Sequence, residues 1–267
     1  MNSMDRTTII GIIIGIIAVG YGMFLKGVEP EILLNPAAIL IIIFGTIASV
    51  TVAFPSSEIK RIPKLFGIIF KEQQLMKTTD LIRMFTEWSQ IARKEGILVL
   101  ESKIEEIEDP FLKNGLMLAV DGKSPEYIRD VLMEEIEAMQ ERHQAGAQIF
   151  AQAGTYAPTL GVLGAVVGLI AALSNIEDTT ALGHAISAAF VATLLGIFTG
   201  YVLWHPFANK LKQKSKLEVR TKYIMIEGIL SIIEGEVPSV IEQKLSSFLP
   251  ANERKEYLRE SREWRNG

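Results

Sequence analysis

Gly154-Thr-Tyr-Ala-Pro-Thr-Leu-Gly-Val-Leu-Gly-Ala-Val-Val-Gly-Leu-Ile170, with its flanks, is long enough to cross a bilayer as a helix, yet it carries two threonines, a run of glycines and a proline. A simple anchor needs none of these. A proline inside a helix removes one backbone donor and its ring displaces the carbonyl four residues earlier. Pro158 therefore leaves the Gly154 carbonyl without its intrahelical partner, and a freed carbonyl at membrane depth needs a neighbouring helix or water beside it.

The rest of the chain divides in the same terms. Of its 267 residues 49% are hydrophobic and 22% charged, and the two kinds are segregated along the sequence. Apolar stretches from Thr7 to Phe24, Ile32 to Phe54, Gln148 to Leu173 and Leu182 to Trp204 each reach the roughly 20 residues that hydrocarbon thickness demands. The fold class is accordingly all-α: a membrane protein with four transmembrane helices and a helical cytoplasmic domain. The first stretch is too long for a signal-peptide core and no small-residue cleavage site follows it, so it reads as a retained span. Cysteine is absent and there are three scattered histidines, which leaves no basis for a disulfide or a metal site.

Local charge sets the topology. Lys60, Arg61, Lys64 and Lys71 follow the second span and Lys210, Lys212, Lys214, Lys216 and Arg220 follow the fourth, whereas the loop from Asn175 to Ala181 offers Glu177 and Asp178. Positive charge is retained in the cytoplasm. Both termini and the Pro55 to Ala147 segment are thus expected inside, with Lys26 to Glu31 and Asn175 to Ala181 outside. Lysines placed directly after spans fit topology and lipid headgroups better than nucleic acid.

The two membrane pairs differ in texture. The first is rich in isoleucine, which suits lipid; the second is rich in Ala, Gly, Thr and Ser, which suits helix contact. In the fourth span Ala185, Ala189, Thr193, Gly196 and Gly200 recur at helical spacing; in the third, Thr155, Thr159 and Val162 share a face, with Gly161, Gly164 and Gly168 nearby. This pattern fits an interior that lines a conduit, and equally tight packing with no conduit.

Between the second and third spans, Leu81, Met84, Phe85, Trp88, Ile91 and Ala92 have amphipathic-helix spacing, with Thr78 or Thr79 as N-cap and Gly96 as stop. A second helix runs through Leu100, Ile104 and Ile107 toward Asp109-Pro110. An acidic helix from Pro125 to His143 runs on into the third span. Past the fourth span a long helix is expected through Glu227 to Ile233 and a shorter one between Pro238 and Pro250, with a frayed charged tail from Ala251.

No Asp, Glu, Lys or Arg lies inside the four stretches. Carriers that work alone usually hold an intramembrane acid or base, so a chain like this conducts ions only if a partner brings the carboxylate. His184, at the outer end of the fourth span, reads as an interfacial histidine. No intramembrane base, metal cluster or phosphate-binding loop suggests an enzyme, and no catalytic residue is assigned.

Several segments resemble the MotA subunit of the bacterial flagellar stator, most like its Bacillus form, and more remotely the ExbB and TolQ energy transducers. They are Asn35-Pro-Ala-Ala-Ile-Leu-Ile-Ile-Ile-Phe-Gly-Thr46, the Gly154 to Ile170 stretch, His184-Ala-Ile-Ser-Ala-Ala-Phe-Val-Ala-Thr-Leu-Leu-Gly-Ile-Phe-Thr-Gly-Tyr201, Trp204-His-Pro-Phe-Ala-Asn-Lys-Leu211 and Glu227-Gly-Ile-Leu-Ser-Ile-Ile-Glu-Gly235. Four spans with a large loop between the second and third fit MotA better than the three-span transducers.

The resemblance implies a homo-oligomer, a pentamer, around a dimer of the MotB-type stator subunit, whose membrane helix supplies the ion-binding aspartate. It implies a multi-pass protein of the bacterial inner membrane that couples inward proton flow to torque on the rotor switch protein FliG, with no cofactor. Carried over by position, the family's ion path maps to Pro158, Thr159 and Thr193, with Thr155 beside them. Coupling maps to Pro206 and Gly154, and the rotor-facing charges to Arg93 and Glu101, with Lys94 and Glu95 adjacent. Without the resemblance, Pro206 reads as a helix-boundary proline and the charges as ordinary surface residues. The expected division is 1–54, a first transmembrane pair; 55–147, a cytoplasmic helical domain; 148–205, the pair lining the path; and 206–267, cytoplasmic helices and tail. The alternatives are an energy transducer of the ExbB/TolQ type and a sodium-coupled stator, since threonine hydroxyls serve either ion.

Overall fold

The computed structural model describes residues 4–28, 33, 35–174 and 179–266, the last six as backbone. The described residues form helices and their connections, with one isolated antiparallel bridge between Met4 and Lys71. Among the described residues, four helices are long and apolar enough to cross a membrane. Glu31, Ile32, Glu177 and Asp178, expected in the outer loops and at the start of the second span, lie outside the described residues.

The chain folds into two compact units: residues 1–73 with 142–214, and residues 74–141 with 215–267. In the first, α1 (Arg6–Leu25) starts at Asp5, whose side chain accepts from the Thr8 N–H. The second span comprises α2 (Pro36–Ile39), a π-helical turn (Leu40–Phe44) and α3 (Gly45–Ala53). Asn35 begins it by accepting from the Ala37 and Ala38 N–H groups, and Pro36 sits where a missing donor costs nothing. Short helices α4 (Ser56–Ile59) and α5 (Ile62–Phe70) follow. The buried residues Leu65 and Ile69 of α5 join Val50, Ala147, Phe150, Phe207 and Leu211 in one core. Phe66, Phe150, Trp204 and Phe207 meet there, with the Phe66 and Phe150 rings edge to face at 5.1 Å.

The second unit contains α6 (Thr78–Glu95), a 3₁₀ turn (Ile97–Leu100), α7 (Glu101–Ile104), α8 (Pro110–Val120), α12 (Pro238–Ser246) and α13 (Ala251–Asn266). It also holds the first part of α9 (Pro125–Leu173) and the last part of α11 (His205–Ile233). Its core takes Leu81, Phe85 and Trp88 from α6, Leu112 and Leu116 from α8, Leu132 and Ile136 from α9, and Ile229 and Leu230 from α11. As expected, the amphipathic helix stops at Gly96, whose φ of +89° is left-handed, and the acidic helix is continuous with the third span.

Four expectations change. Lys77 occupies the N-cap position of α6 with no side-chain cap bond, and Thr78 is already helical. The helix expected through Ile107 is a 3₁₀ turn and one α-helical turn ending at Ile104; the regular helix comes afterwards, from Pro110, capped by Asp109, which accepts from the Phe111 and Leu112 N–H groups. The segment from Ala251 is helical, because Tyr257 and Leu258 pack onto the core. Pro206 does not mark a boundary. Helix α10 (Thr179–Phe198) continues through a π-helical turn (Thr199–Trp204) into α11, and Pro206 is the second residue of α11. Its missing N–H and its ring leave the Val202 carbonyl to be accommodated, and the widened turn lies over that carbonyl.

Candidate functional site in the third and fourth spans

The glycines of the two spans form a single seam. A Cβ placed on Gly161 would stand 2.8 Å from the Ala192 carbonyl oxygen, one on Gly196 2.7 Å from the Ala157 carbonyl oxygen, and one on Gly200 2.8 Å from the Gly154 carbonyl oxygen. Gly168 faces Ala185 and Ala189 at 3.9 Å. Numbers rise along one helix as they fall along the other, so α9 and the α10–α11 helix are antiparallel with backbones in contact, the geometry that small-residue repeats permit in lipid. The stripe of Ala185, Ala189, Gly196 and Gly200 is therefore a packing surface. The second span closes on it through Leu160, 3.2 Å from a Cβ on Gly45, and through the buried set Ala38, Ile42, Ala157 and Ala192.

Pro158 is half-buried, its ring against Gly200, and the Gly154 carbonyl it frees is held against the same glycine. The π-helical turn of the fourth span begins one residue before Gly200. The irregular backbone of one helix thus lies against the irregular backbone of the other, away from lipid, where such groups are tolerated.

Thr155 and Thr159 lie one turn apart on an exposed face of α9, followed by Val162, which is 52% exposed. The Thr155 hydroxyl donates to the Ala151 carbonyl at 3.1 Å and the Thr159 hydroxyl to the Tyr156 carbonyl at 2.7 Å. Each hydroxyl hydrogen is committed within the helix, which leaves the oxygens as acceptors for water or a cation. Thr193 is half-buried and donates to the Ala189 carbonyl at 3.2 Å; its backbone abuts Gly161, with Cα 3.4 Å from a Cβ built there. No hydrogen bond joins it to Thr155 or Thr159 among the described residues.

Arg93 and Glu101 are both exposed, Arg93 in the last turn of α6 and Glu101 in the first turn of α7. Lys94 and Glu95 are exposed between them. The Arg93 guanidinium donates to the Gly235 carbonyl at 3.4 Å, tying this corner to the turn after α11.

A cluster that the sequence reading passed over closes the end of the first span. Lys210 Nζ lies 2.7 Å and Lys214 Nζ 3.3 Å from Asp5 Oδ2. Lys214, 7% exposed, also donates to the Ile68 and Lys71 carbonyls, and the Asp5 N–H donates to the Phe70 carbonyl at 2.8 Å. Burial alone would raise the Asp5 pKa, but hydrogen bonds from Lys210, Thr7 and Lys214 outweigh it and hold the carboxyl well below its ordinary range. Two of the lysines expected to mark topology are therefore engaged inside the protein. The signal was present in Asp5-Arg-Thr-Thr8, a capping acid ahead of an apolar run.

Compared with known proteins, residues 9–96 match the motility protein A N-terminal model and residues 103–223 the MotA/TolQ/ExbB proton channel family model. The chain is 63% identical to motility protein A of Bacillus subtilis over 264 residues, covering 99% of this chain and 97% of that one. Its fold matches a chain of the flagellar MotAB stator complex from Bacillus subtilis with a TM-score of 0.91 and 64% identity, over 95% of this chain and 99% of that one. It also matches a chain of MotAB from C. jejuni with a TM-score of 0.88 and 33% identity, over 93% and 97%.

Proposed function

This chain belongs to the motility protein A family within the MotA/TolQ/ExbB proton channels, and from that premise we propose that it is a stator subunit of a flagellar motor. With a MotB-type partner it forms an ion channel in the inner membrane that couples inward proton flow to torque. The observation that carries this reading is the correspondence, in sequence and in fold, with a chain of a stator complex over nearly the whole length.

The mechanism follows from what this chain holds and lacks. Its spans contain no carboxylate, so the ion-binding acid comes from the partner, and five copies of this chain surround a partner dimer. The exposed Thr155 and Thr159 oxygens face the path and accept from water carrying the proton, or from a sodium ion in a sodium-coupled stator. The glycine seam lets the third and fourth spans move as one body. A unit charge crossing about 150 mV releases about 3.5 kcal/mol, comparable with the few kcal/mol that separate alternative packings of a bistable assembly. Each neutralisation of the partner acid thus suffices to step the ring. Arg93 and Glu101 pass the motion to FliG through screened surface charges that form and break quickly. The lysines after the second and fourth spans support a cytoplasmic placement of both termini and of the rotor-facing unit, with Pro206 where the fourth span leaves the membrane.

The test is a strain lacking this chain, which should keep its flagellar filaments and stop swimming. In vesicles, flux should require both this chain and its aspartate-bearing partner; robust conductance from this chain alone would overturn the reading.

A further inference from the structure

The glycine seam ends at a histidine that nothing above uses. His205 is the first residue after the π-helical turn of the fourth span and precedes Pro206. Its imidazole is packed on Gly154: a Cβ there would stand 2.8 Å from Cγ and Cδ2 and 2.9 Å from Nδ1. The carbonyl oxygen of Gly154 lies against Gly200, five residues before His205 on the same neighbouring helix. The freed carbonyl and the imidazole are therefore at successive levels of one seam, the imidazole nearer the cytoplasmic end. The ring is half-buried and lies 5.3 Å from the Tyr201 ring, centroid to centroid. Among the described residues no protein hydrogen bond or ion pair engages either ring nitrogen.

We propose that His205 accepts the translocated proton at the inner mouth of the third and fourth spans and releases it to the cytoplasm, an inference that rests on the channel reading above. A neutral imidazole has one bare nitrogen and one N–H. The bare nitrogen takes a proton from a hydronium or water leaving the path, giving an imidazolium, and the opposite N–H gives a proton to cytoplasmic water. The ring returns to neutrality in its other tautomer, and rotation or exchange with water resets it. Both nitrogens must be free for this, and among the described residues neither has a hydrogen-bond partner.

On its own helix Tyr201 packs beside the ring, and further along Lys210 and Lys214 pair with Asp5. Asp5 is held ionised by Lys210 and Lys214 and does not compete for a proton near neutrality. Gly154 then has a second role, since any side chain there would displace the ring.

The test uses this chain and its partner reconstituted together in vesicles at fixed proton-motive force, the voltage being offset as the pH of the cytoplasmic face is stepped from about 6 to about 8. Proton flux through the native complex should vary across that range. His205→Gln should keep the partner bound, lose several-fold of the flux in weak buffer and become insensitive to pH. Imidazole buffer on the cytoplasmic face should lift the variant's flux toward the native level while changing the native complex little. A variant with native flux and native pH dependence would overturn the inference, as would a reduced flux that imidazole fails to lift, which marks a packing role. His205→Asn is read in the same way, and failure of both variants to bind the partner would also overturn it. A native complex with no flux would overturn the channel reading itself, and this inference with it.

Discussion

The carbonyl oxygen of Gly154 lies against Gly200 with no room there for a methyl group: a Cβ on Gly200 would stand 2.8 Å from that oxygen and 2.8 Å from Pro158 Cγ. Both obstacles belong to the backbone or to a rigid ring, so neither can swing aside. Gly200→Ala and Gly196→Ala should each cost about 1–3 kcal/mol through overpacking and reduce swimming. Gly183→Ala, with nothing within 4 Å of its added methyl, should have neither effect. Thermal stability of the detergent-purified complex and swimming speed check this; a Gly200→Ala protein as stable and motile as the native one would show that the seam is looser than its contacts indicate.

Pro158→Ala tests the freed carbonyl with little change of shape. Alanine restores the N–H to Gly154 and is smaller than the ring it replaces, so the packing on Gly200 survives. A leucine at 158 would instead press on Gly200 and confuse the two effects. The expected result is normal co-purification of the partner with loss of torque, read by pull-down beside a motility assay. Loss of the partner would mean that Pro158 serves assembly.

The spans, the amphipathic α6 and its glycine stop were legible in the sequence because each rests on periodicity or on one residue's backbone preference. The seam was legible only as an ambiguity. Spacing places Gly196 and Gly200 on one face, but whether that face meets water or Gly161 depends on a neighbour far away in the chain. The same limit hid the π-helical turns, since the turn at Thr199–Trp204 answers to Pro206 and sits against Pro158. Lys210 and Lys214 carried a topological signal that concealed their bond to Asp5, more than 200 residues away. The tail from Ala251 reads as frayed by composition and folds because Tyr257 and Leu258 find the core.

Asp5 and Lys214 predict a pH signature. The Asp5 carboxyl is held below its ordinary value in the fold, so its contribution to stability is fully present above the ordinary carboxylate value of about 4 and is lost as pH falls through the lowered one. Asp5→Asn should destabilise the complex at pH 7 by about 1–3 kcal/mol, because Lys214 is left buried with an incomplete set of partners. The difference from the native protein should shrink on acidification below about pH 4. Lys214→Met should also destabilise, by unfastening the Ile68 and Lys71 carbonyls at the end of α5. Melting curves across pH decide the point; an Asp5→Asn penalty that stays constant into acid would show that the ion pair is not its source.

Arg93 and Glu101 separate torque from stability. Both side chains are exposed, and the bond from Arg93 to the Gly235 carbonyl is long at 3.4 Å, so Arg93→Glu and Glu101→Lys should change stability by no more than about 0.5 kcal/mol. If these residues touch the rotor, each reversal should still reduce swimming, because the recipient charge is then repelled rather than attracted. A matching reversal on the rotor should restore part of the speed, and the remaining deficit should fall as ionic strength rises and screens the mismatched charges. Expression, membrane assembly and partner binding should be unchanged throughout. Two reversals that swim normally would remove Arg93 and Glu101 from the rotor contact and shift attention to the acidic face of α9 at Glu134, Glu137 and Glu141, which is also charged and exposed.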